Sequence, residues 1–189
     1  MKLVFATHNL HKLAEIKALL PTHIELVSLS DIGCDEPIEE WGETIEQNAL
    51  IKAKYIWDHY QLDCFSDDTG LEVQALDNAP GVYSARYAGP ENNAQKNIAK
   101  LLEALKDKTN RKARFKTVIA LIIEGKTYQF EGIVNGKIAE IPSGEGGFGY
   151  DPIFVADDHN RTFAALSKEE KNSISHRGRA FEKLVNFLK

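Results

Sequence analysis

The feature that most constrains the fold is a regular alternation in the middle of the chain. Apolar or β-branched residues recur at every second position over residues 117–123, a period that places them on one face of a β-strand. Residues 124 and 125, Glu-Gly, are typical of a turn, and a second strand is predicted over residues 128–134. The pattern therefore predicts a long hairpin, and with it a sheet.

Segments on both sides of this hairpin predict helices and two further strands. Short apolar runs at residues 3–6 and 64–66 suit buried strands, of which the second ends at Asp67. Helical spacing, with capping boxes at Thr44 and Ser167, covers residues 10–20, 44–60, 92–105 and most of 167–188. Because strands and helices alternate without a repeat or a low-complexity linker, we expect one layered α/β domain over residues 1–189.

The composition limits what such a domain can do. A formal net charge of −5 argues against a nucleic-acid binder, because such binding rests on many Lys and Arg contacts to phosphates. A single nucleotide needs only a few cations and a metal ion held by carboxylates.

The longest apolar run, residues 118–123, is too short to cross a membrane. With two cysteines, no disulfide framework and no export signal, we expect a cytoplasmic protein with reduced thiols.

A candidate anion site lies where the first predicted strand passes into the first helix. The segment over residues 7–12 reads Thr-His-Asn-Leu-His-Lys. Exposed amides at a helix N-terminus, together with a hydroxyl, an amide side chain and an ammonium group, can bind phosphate. The alternative is an ordinary helix cap followed by a solvated lysine.

Two adjacent carboxylates follow the second buried strand, in the sequence Asp-Asp-Thr-Gly at residues 67–70. Since side chains along a strand point to opposite faces, at most one carboxylate faces a given site. A carboxylate there can bind a hard cation and deprotonate a water. Glu39 or Glu40 would complete a magnesium site if the chain brings it near. The alternative is a turn stabilised by aspartate side chains, with the glutamates as surface charges.

A glycine-rich loop is predicted over residues 144–152, which read Gly-Glu-Gly-Gly-Phe-Gly-Tyr-Asp-Pro. Its backbone freedom, two aromatic rings and a carboxylate suit close packing around a flat base. A tight structural turn is the alternative. Further along, Lys171, His176 and Arg177 place donors near a break between two helical stretches, which otherwise reads as a solvated helix junction.

Taken in order, five segments resemble the motifs of the inosine triphosphatase (Ham1-like) family of nucleoside triphosphate pyrophosphatases. They are Thr-x-Asn-x-x-Lys at residues 7–12, Asp-Asp-Thr-Gly at 67–70, Pro-Gly-Val-Tyr-Ser-Ala-Arg-Tyr at 80–87, Gly-Phe-Gly-Tyr-Asp-Pro at 147–152 and Ser-His-Arg-Gly at 175–178. The resemblance spans residues 3–188. It implies an elongated mixed sheet flanked by helices, two lobes with a central nucleotide cleft, and a homodimer.

The resemblance also implies roles for individual residues. Those that would bind the triphosphate or touch the substrate beside it are Thr7, His8, Asn9, Leu10, His11, Lys12, Lys52 and Thr69. Asp68 would bind Mg²⁺ and act as the base for water, with Glu40 as a further metal ligand. The purine pocket would consist of Phe148, Gly149, Tyr150, Asp151, Lys171, His176 and Arg177. Many relatives have glycine in place of His8 and a small or basic residue in place of His11, which affects the expected rate and affinity rather than the reaction type.

The reaction that the resemblance implies is hydrolysis of ITP, dITP and XTP to the monophosphate and pyrophosphate, which removes non-canonical purines from the nucleotide pool. Three alternatives remain open. A regulatory module would bind the nucleotide without turnover, a phosphomonoesterase would release orthophosphate, and a nucleic-acid binder would use the basic carboxyl end. Product analysis separates the first two from a pyrophosphatase, and salt-dependent duplex binding tests the third.

Overall fold

Helices alternate with strands along the chain, as expected of an α/β protein. The computed structural model describes residues 1–17 and 19–189. The helices in these residues are α1 (Leu10–Lys17), α2 (Ile45–Tyr60), α3 (Ala94–Leu105), α4 (Lys168–Ile174) and α5 (His176–Leu188). The strands are β1 (Lys2–Phe5), β2 (Glu25–Val27), β3 (Cys64–Val73), β4 (Pro80–Gly81), β5 (Lys112–Ile123), β6 (Lys126–Ile138) and β7 (Phe154–Ala156). No helix in the described residues is both long enough and apolar enough to span a membrane.

The strands form one mixed sheet, which confirms the predicted fold class. The order is β2-β1-β3-β5-β6-β7, and β4 pairs with β3. Strand β1 lies parallel to β2 and to β3, with Val4 opposite Cys64. Strands β6 and β7 pair in antiparallel fashion, as do β3 and β4.

The predicted hairpin is confirmed and is longer than the sequence pattern indicated. Strands β5 and β6 meet at Glu124 and Gly125, whose φ angles of 49° and 75° lie in the left-handed region that tight hairpin turns require. Residues 115–122 are buried on both faces of the strand. Strand β5 is therefore covered on both sides, whereas exposed and buried residues alternate along much of β6.

Strand β3 differs from the prediction, which ended it at Asp67. The strand continues to Val73, so Asp67 and Asp68 lie inside it. Carboxylates and glycine are rare in strand interiors, and the sequence pattern stopped at them for that reason. The strand continues because its second half has a partner, with Leu71 opposite Gly81 and Glu72 opposite Pro80 in β4.

Local capping signals fix where three helices begin. Thr44 Oγ1 accepts the backbone N–H of Gln47, whose side chain accepts the backbone N–H of Thr44. Ser167 and Glu170 make the same pair of bonds before α4. Such bonds satisfy amides that a helix leaves without partners. Both predicted capping boxes are confirmed, and Asn93 caps α3 through the N–H of Lys96.

The chain forms two compact units, each with an aromatic core. The first unit comprises residues 1–68, 117–131 and 180–189, and the second comprises residues 69–116 and 132–179. In the first, Phe5 stacks on Phe65 at 4.4 Å between ring centroids, and Phe181 packs edge-on against both. In the second, Phe154 lies 4.6 Å from Phe115 and 4.9 Å from Phe163.

Candidate active site

The predicted phosphate turn lies between β1 and α1, in the first unit. Thr7 Oγ1 accepts the backbone N–H of Asn9 at 3.2 Å, and Asn9 Oδ1 accepts the backbone N–H of Lys12 at 3.2 Å. The turn therefore caps helix α1, as the helix-cap interpretation of the sequence predicted. The same geometry is compatible with phosphate binding by this turn. Leu10 is 76% exposed, and the side chain of His11 lies outside the described residues.

His8 connects this turn to the loop that precedes α2. Its Nε2 lies 3.1 Å from the carbonyl oxygen of Glu36. The imidazole is exposed. The same loop carries Glu40, so the His8 side chain joins the predicted phosphate segment to the predicted metal segment.

Lys12 forms a buried ion pair with Asp67. Its Nζ donates to both carboxylate oxygens of Asp67, at 2.9 and 2.8 Å. The Asp67 side chain is 2% exposed and that of Lys12 is 20% exposed. Because removing one partner of such a pair leaves a buried charge without compensation, each side chain fixes the position of the other. Asp67 thus positions the ammonium group that we expect to bind phosphate.

Lys52 brings the two predicted metal ligands together. Its Nζ donates to Glu40 Oε1 at 2.7 Å and lies 3.8 Å from Asp68 Oδ1. It also donates to the backbone carbonyl of Asp67 at 2.7 Å. Burial opposes the charge of this ammonium group, but the carboxylates of Asp68, Glu40 and Asp67 outweigh burial and raise the pKa of Lys52. We call Glu40, Lys52 and Asp68 the Lys52 cluster.

The Asp68 carboxyl group has the properties of a general base. Burial raises its pKa to about 6, Glu40 and Asp67 add to the shift, and Lys52 and Lys12 oppose it. A base is most effective when its pKa lies near the working pH. The Oδ2 atom of Asp68 is buried and has no hydrogen-bond partner within the described residues. A buried oxygen without a partner is rare in folded proteins and is explained most directly by a ligand or ion.

The Lys52 cluster fits Mg²⁺ when a substrate supplies the remaining ligands. Mg²⁺ usually binds through one or two carboxylates plus substrate phosphates and water, and Asp68 Oδ2 and Glu40 provide such oxygens. Among residues 1–17 and 19–189, no group of three or more His, Cys, Asp or Glu side chains could hold a metal ion by itself. Of the two candidate glutamates, Glu40 is the one that reaches the cluster, since Glu39 is exposed.

The predicted base-recognition residues lie in the second unit, around Asp151. This carboxylate is 3% exposed. Its Oδ2 accepts Lys171 Nζ and also the backbone N–H of Phe148, the latter at 2.9 Å. Gly147 has a φ of +72°, and a Cβ at that position would collide with the Asp151 carboxylate. Only glycine therefore allows the loop to close this tightly around Asp151.

Phe148 presents an exposed aromatic ring between two cations. The residue is 59% exposed. Lys171 Nζ lies 4.8 Å and Arg177 Cζ lies 5.3 Å from the ring centroid, distances at which cation–π attraction operates. An exposed ring can stack on a purine, and the cations supply hydrogen-bond donors beside it.

Two of the other predicted substrate-binding residues, His176 and Tyr150, are buried. His176 begins α5, is 5% exposed, and stacks on Phe115 with 4.6 Å between ring centroids. Tyr150 is 4% exposed, so of the two aromatic residues in the loop only Phe148 offers an exposed face. Gly149 has a φ of +59°. Thr69 follows Asp68 in β3 and is half-buried.

Sequence reasoning missed Asn48. Its side chain is fully buried, and its Oδ1 accepts the backbone N–H of Gly42 at 2.7 Å. Gly42 lies two residues after Glu40, so this bond holds the loop that carries a predicted metal ligand. The available signal was a polar residue among Ile45, Ala49 and Ala53 on the buried face of α2.

Known proteins resemble this chain over its whole length. A model of the Ham1 family matches residues 3–187. The chain is 59% identical to a protein named dITP/XTP pyrophosphatase from Christiangramia forsetii, covering 100% of this chain and 99% of that protein. A protein of the same name from Flavobacterium johnsoniae is 54% identical, with 100% and 98% coverage. The solved structure of the Staphylococcus aureus Ham1 protein matches with a TM-score of 0.95 at 41% identity, covering 100% of this chain and 98% of that one. The resemblance inferred from five short motifs is confirmed, and the chain belongs to the Ham1 family.

Proposed function

We propose that this chain hydrolyses the non-canonical purine nucleoside triphosphates ITP, dITP and XTP to the nucleoside monophosphate and pyrophosphate. The observation that carries the proposal is the Lys52 cluster, in which a buried ammonium group holds two carboxylates and one of these has a pKa of about 6. The dITP/XTP pyrophosphatase activity named for the relatives supports the choice of substrate.

In the proposed reaction, a water oxygen attacks the α-phosphorus while Asp68 accepts the proton of that water. The bond from the α-phosphorus to the oxygen bridging to the β-phosphate breaks, and pyrophosphate leaves. Lys12 and Lys52 neutralise phosphate charge from positions that Asp67 and Glu40 hold in advance. Donors fixed before the substrate arrives stabilise developing charge without reorganisation. The reaction needs no covalent intermediate.

Mg²⁺ is part of the proposal, with Asp68 and Glu40 as its protein ligands. The ion would neutralise phosphate charge and help orient the attacking water. The unbonded Oδ2 of Asp68 supports this assignment. The carboxyl group has a second oxygen for the proton of the water, so binding and base functions are compatible within one side chain.

Base choice is assigned to donors of helices α4 and α5, two of which lie over Phe148. Lys171, His176 and Arg177 would meet the 6-oxo group that hypoxanthine, xanthine and guanine share. Adenine presents a 6-amino donor there, so donor would face donor. A bidentate donor contact to a purine edge discriminates by about 1–3 kcal/mol, which is roughly 5- to 150-fold.

A homodimer and a cytoplasmic location complete the proposal. Cys34 and Cys64 are both free and buried, which suits a reducing compartment. Light scattering coupled to size-exclusion chromatography tests the oligomeric state, and fractionation of cells that express the tagged protein tests the location.

Product analysis with ITP, XTP, GTP and ATP in the presence of Mg²⁺ tests the proposal as a whole. We expect pyrophosphate as the inorganic product, with ITP and XTP preferred. In ¹⁸O-water the label should enter the monophosphate. Release of orthophosphate would identify a phosphomonoesterase, and tight binding without turnover would identify a regulatory module. Label found only in pyrophosphate would contradict attack at the α-phosphorus.

A further inference from the structure

The segment over residues 80–87, one of the five family motifs, contributes no residue to the proposed reaction. It comprises β4 and the 3₁₀ turn Ser84–Arg86. It belongs to the second unit, as does the glycine-rich loop of residues 144–152. A hydrogen bond connects the segment directly to this loop, and the other bonds of the segment indicate what it does.

Ser84 is the residue of this segment that bonds to the glycine-rich loop. It is 8% exposed. Its Oγ accepts the backbone N–H of Leu71 at 2.9 Å and donates to the carbonyl oxygen of Gly81 at 2.6 Å. Its carbonyl oxygen accepts the hydroxyl group of Tyr150 at 2.7 Å. Ser84 therefore bonds to strand β3, to Gly81 in β4 and to the glycine-rich loop.

The turn that contains Ser84 is itself held in place. Asn97, on α3, is 4% exposed. Its Nδ2 donates to the carbonyl oxygen of Ala85 at 2.9 Å, and its Oδ1 accepts the backbone N–H of Ala88 at 2.7 Å. A turn fixed on one side by a strand and on the other by a helix is a firm anchor for a neighbouring loop.

The glycine-rich loop needs such an anchor. Gly147 and Gly149 both adopt positive φ angles, +72° and +59°, and glycine loses more backbone freedom on ordering than any other residue. Tyr150 lies between Phe148 and Asp151 in the chain. Its hydroxyl bond is made in the interior, where loss of one partner leaves the other unsatisfied.

We propose that Tyr150 and Ser84 are positioning residues for base recognition. The bond from the Tyr150 hydroxyl to the Ser84 carbonyl holds the glycine-rich loop in the conformation that places Phe148 and Asp151 for contact with the purine. In this proposal Tyr150, which the family resemblance assigned to the purine pocket, acts on the base through the loop and not by direct contact, because its side chain is buried and its hydroxyl group is bonded to Ser84. The inference rests on the proposed function, because it assigns Phe148 and its neighbours to the base.

A structural role and a positioning role of the Tyr150–Ser84 bond lead to different expected kinetics. If the bond only stabilises the core, its loss lowers the melting temperature and leaves base selectivity unchanged. If it positions the loop, its loss displaces Asp151 and with it the Lys171 ammonium group that Asp151 holds. A contact that ITP makes and ATP does not make is then weakened, because adenine lacks the 6-oxo acceptor. The ratio of kcat/KM for ITP to that for ATP therefore distinguishes the two roles.

The test compares Tyr150→Phe with Tyr83→Phe. The first change removes only the buried hydroxyl group, and the second removes a hydroxyl from a residue of the same motif that is 55% exposed. We expect Tyr150→Phe to lower the ITP:ATP ratio about fivefold, the factor that one net hydrogen bond is worth. The change should appear in KM for ITP, with kcat within about twofold because the Lys52 cluster is untouched. Tyr83→Phe should leave the ratio unchanged.

Amide hydrogen exchange without nucleotide provides a readout that does not depend on the reaction. Residues 144–151 should exchange faster in Tyr150→Phe, by about fivefold, and should be unchanged in Tyr83→Phe. Ser84→Ala keeps the carbonyl acceptor but loses the Leu71 bond, so it should lower the melting temperature more and shift the ratio in the same direction.

Two results would overturn the inference: unchanged exchange of the loop in Tyr150→Phe, or faster exchange with an unchanged ITP:ATP ratio. Failure of the proposed function would look different. In that case the wild-type protein itself would release no pyrophosphate from ITP, while the exchange result would still show whether Tyr150 holds the loop.

Discussion

The residues assigned to the phosphates and those assigned to the base are fixed in different ways. In the first unit, the side chains of the Lys52 cluster are at most 28% exposed and neutralise one another over 2.7 to 3.8 Å. In the second unit, Lys171 and Arg177 lie over a phenylalanine that is 59% exposed. Fixed buried charges suit a chemical step, whereas an exposed ring tolerates different partners. We therefore expect changes in the first group to affect turnover and changes in the second to affect selectivity.

The largest effect is expected for Asp68→Asn. The change keeps the shape of the side chain but removes the proposed base and a metal ligand, so kcat should fall by about 10²–10⁴-fold. Glu39→Gln is the matched control, since it neutralises an exposed carboxylate beside Glu40. Circular dichroism should show both variants folded. Similar small losses in the two variants would mean that the Asp68 carboxyl group has no part in the chemical step.

A smaller loss of turnover, with a larger loss of stability, is expected for Asp67→Asn. The change breaks the ion pair with Lys12, which costs about 3 kcal/mol in the free energy of unfolding, measured by urea denaturation. Adding Lys12→Met should recover part of this loss, because the double variant no longer carries the ammonium group that Asp67 neutralised. If the two changes are additive instead, the ion pair does not hold the phosphate turn.

Arg177→Ala should change selectivity rather than chemistry. Its loss removes donors beside Phe148, so kcat/KM should fall for ITP by roughly 5- to 150-fold and much less for ATP. The ITP:GTP ratio should change little, since both bases carry the 6-oxo group. Arg179→Ala is the control, because Arg179 lies in the same helix but donates to the carbonyl oxygen of Ile133. Equal losses on ITP and ATP would place Arg177 on the phosphates.

The smallest effect is expected for alkylation of Cys64, which tests whether water reaches the interior of the first unit. Burial raises the pKa of the Cys64 thiol to about 12, and its Sγ donates to the carbonyl oxygen of Ala53. Between pH 7 and 9 the thiolate is scarce in the folded protein, and iodoacetamide should leave Cys64 unmodified, as mass spectrometry of the native protein would show. Full modification in guanidinium is the control. Rapid native alkylation of Cys64 would show that water reaches β3, and would weaken the explanation of the Asp68 pKa by burial.

The sequence predicted best those features that depend on nearby residues. The capping boxes at Thr44 and Ser167 and the turn at Gly125 each involve groups within a few positions of each other. The five motifs identified the family, and the residues of the candidate site were predicted from that resemblance.

Features that depend on residues far apart in the sequence could not be predicted from local patterns. The length of β3 follows from its pairing with β4. Asp67 and Lys12 are 55 positions apart, and Tyr150 and Ser84 are 66 positions apart. A single sequence contains no periodicity that links such pairs, and only the folded chain brings them together.

The path of the chain also limits how base selectivity can be altered. The backbone passes from one unit to the other four times, after residues 68, 116, 131 and 179, and the first three crossings lie within strands β3, β5 and β6. A chimera that took its second unit from a relative would need four recombination points, three of them inside paired strands where a one-residue slip turns every side chain to the opposite face. New specificity in such a protein is therefore more accessible through single substitutions than through exchange of segments.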